Sequence, residues 1–228
     1  MKKQLLKTTM IASILLMMGS ANAQMTFFGR TGLNLNDLVL LDGEGKAVEI
    51  YKTGVGIHLG GGVDFEINDQ MGVEVGLGYS QRGASVENTI ETGGLTATTT
   101  GSMTLHYIDL PVSFRYSSDL GSGRLSFGFG PKIGLGLSGT EKYTTKVTSM
   151  GVTQESSAEA DVTFGDGKTS DFKTMDLSIG TSVSYEISNI HFGVQYYYGM
   201  TNHLGEPTDK ESVSQNMSSI IIGYRFGR

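Results

Sequence analysis

The chain has no cysteine, only three prolines and, beyond residue 23, no apolar run long enough for a membrane helix. Without thiols no disulfide can staple the fold and no cysteine-linked lipid can hold it, so stability must come from a large core or from a membrane. A helical span would need about 20 consecutive apolar residues. Positive charge is scarce as well: 17 Lys and Arg stand against 23 Asp and Glu, a net charge of −6, which argues against nucleic acid as a partner. Against the three prolines stand 33 glycines without a triplet period, the mark of a Gly-rich β-protein rather than of collagen.

The first 23 residues read as a signal peptide. Lys2, Lys3 and Lys7 precede a short apolar stretch that ends in Ala21-Asn22-Ala23, the small-x-small pattern of a secretory cleavage site. Removing three lysines leaves 14 basic and 23 acidic residues, a net charge of −9 for the domain 24–228.

Alternation with period 2 predicts eight strands, at about 25–35, 54–68, 71–82, 104–117, 123–138, 174–188, 190–200 and 216–227. The connections alternate between long (36–53, 83–103, 139–173, 201–215) and short (68–70, 118–122, 188–189). Turns on one rim and loops on the other give an up-and-down barrel that rhythm. The long connections are rich in Thr, Ser, Gly and acids, and read as structureless loops with little to bury. They carry fifteen acids against eight bases, counting Arg82, so the imbalance falls on one rim.

Each strand separates an apolar parity from a polar one. In "GIHLGGGVDFEIN", Ile57, Leu59, Val63, Phe65 and Ile67 oppose His58, Asp64, Glu66 and Asn68. No strand charge falls on the apolar side, while the opposite side collects Arg30, Asp64, Glu66, Glu74, Asp109, Arg115, Arg124, Lys132, Asp176, Glu186 and Arg225. A soluble lipocalin-like barrel would put the apolar side inward. The export signal, the connection rhythm, the aromatics at strand ends (Phe27, Tyr79, Tyr116, Tyr185, Tyr198, Tyr224, Phe226) and the length of the apolar stripes favour the reverse, a lipid-facing apolar band. The expected fold is an all-β, eight-stranded, antiparallel up-and-down transmembrane β-barrel. Its lumen would hold the eleven charges as mutually paired ions, with glycines making room, since an eight-stranded barrel is only wide enough for its own side chains.

Other motifs fade in this setting. "GLGLSG" (134–139) fits a dinucleotide fingerprint, but its glycines fall at period 2 within a strand, with no helix to follow. His58, His106, His191 and His203 show no metal-ligand spacing. His106 is the one histidine on the apolar parity near a strand end, where Ser80, Ser85 or Ser102 and Glu87 could supply a hydrolase's other groups; an interfacial histidine is the simpler reading. No cofactor, metal or catalytic residue is expected.

Seven blocks, "KTGVGIHLGGGVDFEI", "GVEVGLGYSQRGAS", "LHYIDLPVSFRY", "GFGPKIGLGLSG", "DLSIGTSVSYEI", "YYYGMTN" and "IIIGYRF", resemble in order those of the PorT-like outer-membrane β-barrel family of Bacteroidota. "YIDLPVSFRY" followed by "GPKIGLGLSG" is the most specific part. The resemblance implies an eight-stranded barrel in a Gram-negative outer membrane. A namesake of that family assists a protein-secretion system, and the shared blocks, being strands, carry no active site.

The expected protein is therefore a non-enzymatic outer-membrane barrel with periplasmic termini, surrounded by outer-membrane lipid and lipopolysaccharide. Its long loops would meet any protein partner, or it would serve as an accessory subunit in a secretion complex; a lipid A-modifying enzyme is a third possibility. An acidic rim favours a cationic partner or one bridged by Ca²⁺ or Mg²⁺. If the leader is read correctly, mass spectrometry of the protein isolated from outer membranes will find Gln24 at its N-terminus; a chain retaining residues 1–23 would contradict it.

Overall fold

Alternating β-branched, aromatic and glycine residues produce ten strands and no helix among the described residues, which are 24–48, 51–165, 170–203 and 211–226 of a computed structural model. The strands are β1 (Gln24–Leu41), β2 (Ala47–Val48), β3 (Tyr51–Glu66), β4 (Met71–Thr92), β5 (Leu95–Leu120), β6 (Gly123–Ser149), β7 (Val152–Val162), β8 (Met175–Ile187), β9 (Ile190–Gly199) and β10 (Ser212–Phe226). Residues 1–23, read from sequence as a leader, lie outside the described residues, as do Glu49, Asp166, Lys168, Glu206, Asp209 and Lys210, counted from sequence with the loop charges.

Eight strands close a ring in the order β1-β3-β4-β5-β6-β8-β9-β10, every pair antiparallel. The last joins the first with Phe28 opposite Arg225 and Leu33 opposite Ile220. One rim carries three tight turns. At the first, the Asn68 side chain accepts from the backbone N–H of Gln70 and of Met71 at 2.9 and 2.8 Å. The other two place Gly121 and Ser188 in the left-handed region.

The opposite rim differs from expectation. Segments 83–103 and most of 139–173 are not loops: β4 and β5 run on to a two-residue turn at Gly93-Gly94, and β6 continues to Ser149, turns at Met150-Gly151 and returns as β7. Both residues of each turn have positive φ, as a hairpin matched to strand twist requires. About 9–11 residues suffice to cross a bilayer in a strand, so β5 with 26 residues and β6 with 27 project far beyond it. The outer parts of β4, β5, β6 and β7 form a four-stranded blade standing on the rim. Thr supports this as a β-branched residue: Thr89 faces Thr98, and Thr99 faces Thr145, with hydroxyls 3.2 Å apart in both pairs.

The ring is apolar on the outside. Leu59 is 62% exposed, Phe129 60%, Ile220 64% and Val194 54%, exposures that a water-soluble protein would not tolerate in a continuous belt. Two hydroxyls on this surface are satisfied by backbone: Thr31 donates to His58 O and Thr181 to Gly128 O, at 2.9 and 3.1 Å, as a medium without water demands. Inside, buried side chains are largely polar or charged. The polar face of the sheet is the inner one.

Val194 sits at the middle of the β9 stripe, flanked by Val183 and Ile220. Val194→Arg is expected to lower the unfolding free energy in lipid vesicles by about 2–4 kcal/mol, the cost of a charge near the midplane. Equilibrium urea unfolding checks it, and an unchanged midpoint would mean that this belt does not face lipid.

Candidate functional site

The lumen holds two separate ionic clusters. Nearer the short-turn rim, Arg225 on β10 donates to three carboxylates from three other strands: Asp64 on β3 at 2.5 Å, Glu74 on β4 at 2.7 Å and Glu186 on β8 at 2.8 Å. Arg30 meets the second Glu74 oxygen at 2.9 Å and lies 4.0 Å from the centroid of the Phe28 ring. Arg115 lies 2.8 Å from Asp64 and 3.8 Å from Glu66, and also donates to Ser117. Three arginines thus share four acids, and Arg225 ties the closing strand of the ring to the far wall.

Nearer the blade, Arg82 on β4 is the centre. It donates to Asp109 at 2.7 Å, Asp176 at 2.6 Å and Gln215 at 3.0 Å, and its guanidinium lies 3.9 Å from the centroid of the Tyr107 ring. Lys132 lies 3.8 Å from Asp109, with its ammonium 4.0 Å from the centroid of the Tyr197 ring. His203 Nε2 is 3.4 Å from Asp176. Glycines make this possible by leaving space. A Cβ on Gly134 would come within 2.8 Å of Arg82 Nη2, and one on Gly180 within 2.3 Å of the Tyr197 ring.

Above Arg82 an apolar cluster packs at the blade end of the lumen. Leu38, Met103, Leu105, Tyr107, Val162 and Phe172 are all buried together, with Phe164 packed against them. The Phe164 ring meets Tyr107 edge-on at 5.5 Å, and Phe172 stands 5.2 Å from His203. Thr163 and Asp171 clamp the base of this segment: the Asp171 carboxylate accepts from Thr163 N–H and from its hydroxyl, both at 2.8 Å. Two voids inside the ring are small. One lies beside Phe28, His58, Lys132 and Tyr197, another beside Arg30, Glu74, Arg115 and Arg225, each of about 20 Å³, room for about one water.

The sequence profile described as "Outer membrane protein beta-barrel domain" matches residues 22–205. The chain belongs to that outer-membrane β-barrel domain family. The solved structures to which the barrel is similar include three small outer-membrane proteins. The attachment invasion locus protein Ail of Yersinia pestis is 15% identical, with 90% of this chain and 99% of that one covered and a TM-score of 0.37. OprG of Pseudomonas aeruginosa is 12% identical, with 91% and 99% covered and a TM-score of 0.38. Neisserial surface protein A is 14% identical, with 89% and 99% covered and a TM-score of 0.34. No curated protein sequence gives a significant match.

Of the eleven charges assigned to the lumen from sequence, the structure joins Arg30, Asp64, Glu66, Glu74, Arg115, Glu186 and Arg225 in one cluster and Asp109, Lys132 and Asp176 in the other. Arg124 stands near the short turns, opposite Glu186 on the ladder, and its Nε has no hydrogen-bond partner among the described residues. Arg82 is a correction. Counted with the loop charges, it is instead 2% exposed and central to the upper cluster, and it moves one base from the rim to the lumen. The signal was present, because Arg82 continues the even parity of Glu74, Gly76, Gly78 and Ser80. The reading of 139–173 as having little to bury is likewise corrected by Val162, Phe164 and Phe172.

The hydrolase constellation is not assembled. His106 faces outward, its Nδ1 2.6 Å from the Tyr79 hydroxyl, whereas Ser80 is 0% exposed on the inner face. Ser85 and Ser102 pair with each other four residues up the ladder from the Gln81–His106 pair, about 13 Å away at strand rise. Glu87 is bonded to Lys52, which holds its carboxyl below the ordinary range. On the blade, partial burial and the neighbouring Glu141 carboxylate push the Tyr143 hydroxyl up to about 12. No group of three metal-ligating side chains converges among the described residues.

Arg225→Met would leave Asp64, Glu74 and Glu186 each with one cation fewer. Breaking such buried pairs typically costs about 3–5 kcal/mol, and urea unfolding of the refolded barrel should fall by that order. A stability equal to the parent's would mean the cluster does not hold the ring together.

Proposed function

We propose that the protein is a non-enzymatic outer-membrane barrel whose lumen is sealed and whose long-hairpin rim, facing the cell exterior, is an interaction surface. The observation that carries this reading is the occupied interior: among the described residues, two ionic clusters, aromatic rings stacked on their cations and an apolar cluster surround two voids of about 20 Å³ each. A lumen so occupied offers no diffusion path, so recognition moves to the surface. With termini and short turns on the periplasmic side, the blade stands in the external medium. With Arg82 inside, the described residues of the long connections hold eleven acids against five bases, which favours a cationic partner, or one held through divalent cations, over bare anionic lipopolysaccharide. A place in a secretion complex is compatible with the same rim, the complex then supplying the partner.

In planar bilayers the purified protein is expected to show no stepwise current, and on intact cells a protease should cut the blade while the ring stays protected. Steady porin-like channels would overturn the sealed lumen. Cleavage of the blade only from the periplasmic side would overturn its orientation.

A further inference from the structure

β7 is bonded on one side only. Its eleven residues pair with β6 from Ser149–Val152 to Gly139–Val162 without a register shift, and nothing pairs with its other side among the described residues. An open edge presents a row of free N–H and C=O groups, and proteins ordinarily blunt it with shortness, lysine, proline or a bulge. β7 is not short and has no lysine, proline or bulge; its only charges are the acids Glu155, Glu159 and Asp161, and residues 152–161 are all exposed. It also lies outside the closed ring, and only its last residue, Val162, reaches the apolar cluster at the mouth.

We propose that this edge accepts an extended, cationic, amphipathic segment of a partner protein as an added strand, a reading that rests on the rim being an interaction surface. The two faces of β7 specify the segment. On the face continuous with the lumen stand Ser156, Ala158 and Ala160, small residues beside Tyr143 and Glu141 of β6; they leave room for bulky apolar side chains on a neighbouring strand. On the opposite face stand Glu155, Glu159 and Asp161. Glu155 and Glu159 are each tied on the β6 side to a lysine, Lys146 at 3.3 Å and Lys142 at 3.2 Å, and are open on the other. A strand with alternating apolar and basic residues therefore fits both faces while its backbone completes the ladder. A second copy of β7 fits poorly: antiparallel pairing centred on Ser157 sets Glu155 against Glu159, and like charges directly opposite repel.

The test uses the full-length protein in lipid nanodiscs, where both rims are accessible and binding does not depend on which one faces the cell exterior. The probe is a fluorescently labelled, end-capped peptide of four Lys-Val repeats, read by anisotropy. Saturable binding is expected, weakened at least tenfold by Ser157→Pro or Ala158→Pro, one of which removes an N–H directed away from β6. It should weaken equally when the backbone nitrogens of either the lysines or the valines of the peptide are methylated, whichever set faces β7. Circular dichroism should show the ring intact in both variants. Absence of binding, or binding that survives both proline variants and both methylated peptides, overturns the proposal, the latter pointing to charge attraction alone. Channel recordings and protease shaving judge the sealed, outward-facing barrel separately.

Discussion

Removing a charge from water costs several kcal/mol even after the protein relaxes, and a narrow tube lined by protein and jacketed by lipid offers little water in return. Arg82 and Arg225 each answer this with carboxylates from different strands: Arg82 meets Asp109 of β5 and Asp176 of β8, and Arg225 meets Asp64, Glu74 and Glu186 of β3, β4 and β8. Each pairing that stabilises the ion also crosses the lumen. The ring is thus held along its ladders by backbone bonds and across its bore by ions, and the rest of the interior follows. Glycine appears where a guanidinium or an aromatic ring needs volume, and aromatic faces appear where a cation has no further acid, as with Lys132 over Tyr197.

Filling the bore has a consequence for the surface. Under the proposed function the outward belt is committed to lipid and the interior to its own ions, which leaves the rim with its blade as the surface to meet something else. The blade shows the same alternation as the ring in a different solvent. Its face continuous with the lumen carries Ala84, Val86, Met103 and Val147, and its other face carries threonines with exposed Lys–Glu pairs. Pairs of that kind are worth little individually. The blade's order comes from its hairpin turns, its β-branched residues and its continuity with the ring.

The ring was legible in the sequence because lipid enforces strict parity: one face of every spanning strand must be apolar, so eight stripes and their inward charges stand out. Beyond the bilayer that constraint lapses. Between Thr96 and Thr104, and again between Thr140 and Thr148, both faces tolerate hydroxyls, and a Thr- and Ser-rich strand looks like a loop when apolar alternation is the only guide. A bulge opposite His106–Tyr107 also changes the parity of β6, so its even residues face inward below and outward above, and period-2 counting cannot cross it. Arg82 sat just where the stripe ended on the outer side, although its own inner parity ran on unbroken. Phe164 and Phe172 were hidden because they reach the core from a segment with little regular structure, held by the Thr163–Asp171 clamp rather than by any periodic pattern.

The central claim is that ion pairs across the bore act as structural ties. A double-mutant cycle on Arg82 and Asp176, using Arg82→Met, Asp176→Asn and the combination, measures that tie in lipid vesicles. If the two side chains act as one unit, the effects on unfolding free energy are non-additive by about 0.5–3 kcal/mol. Additive effects, within about 0.3 kcal/mol, would show that the pair stands in the lumen without holding it, and would contradict the account.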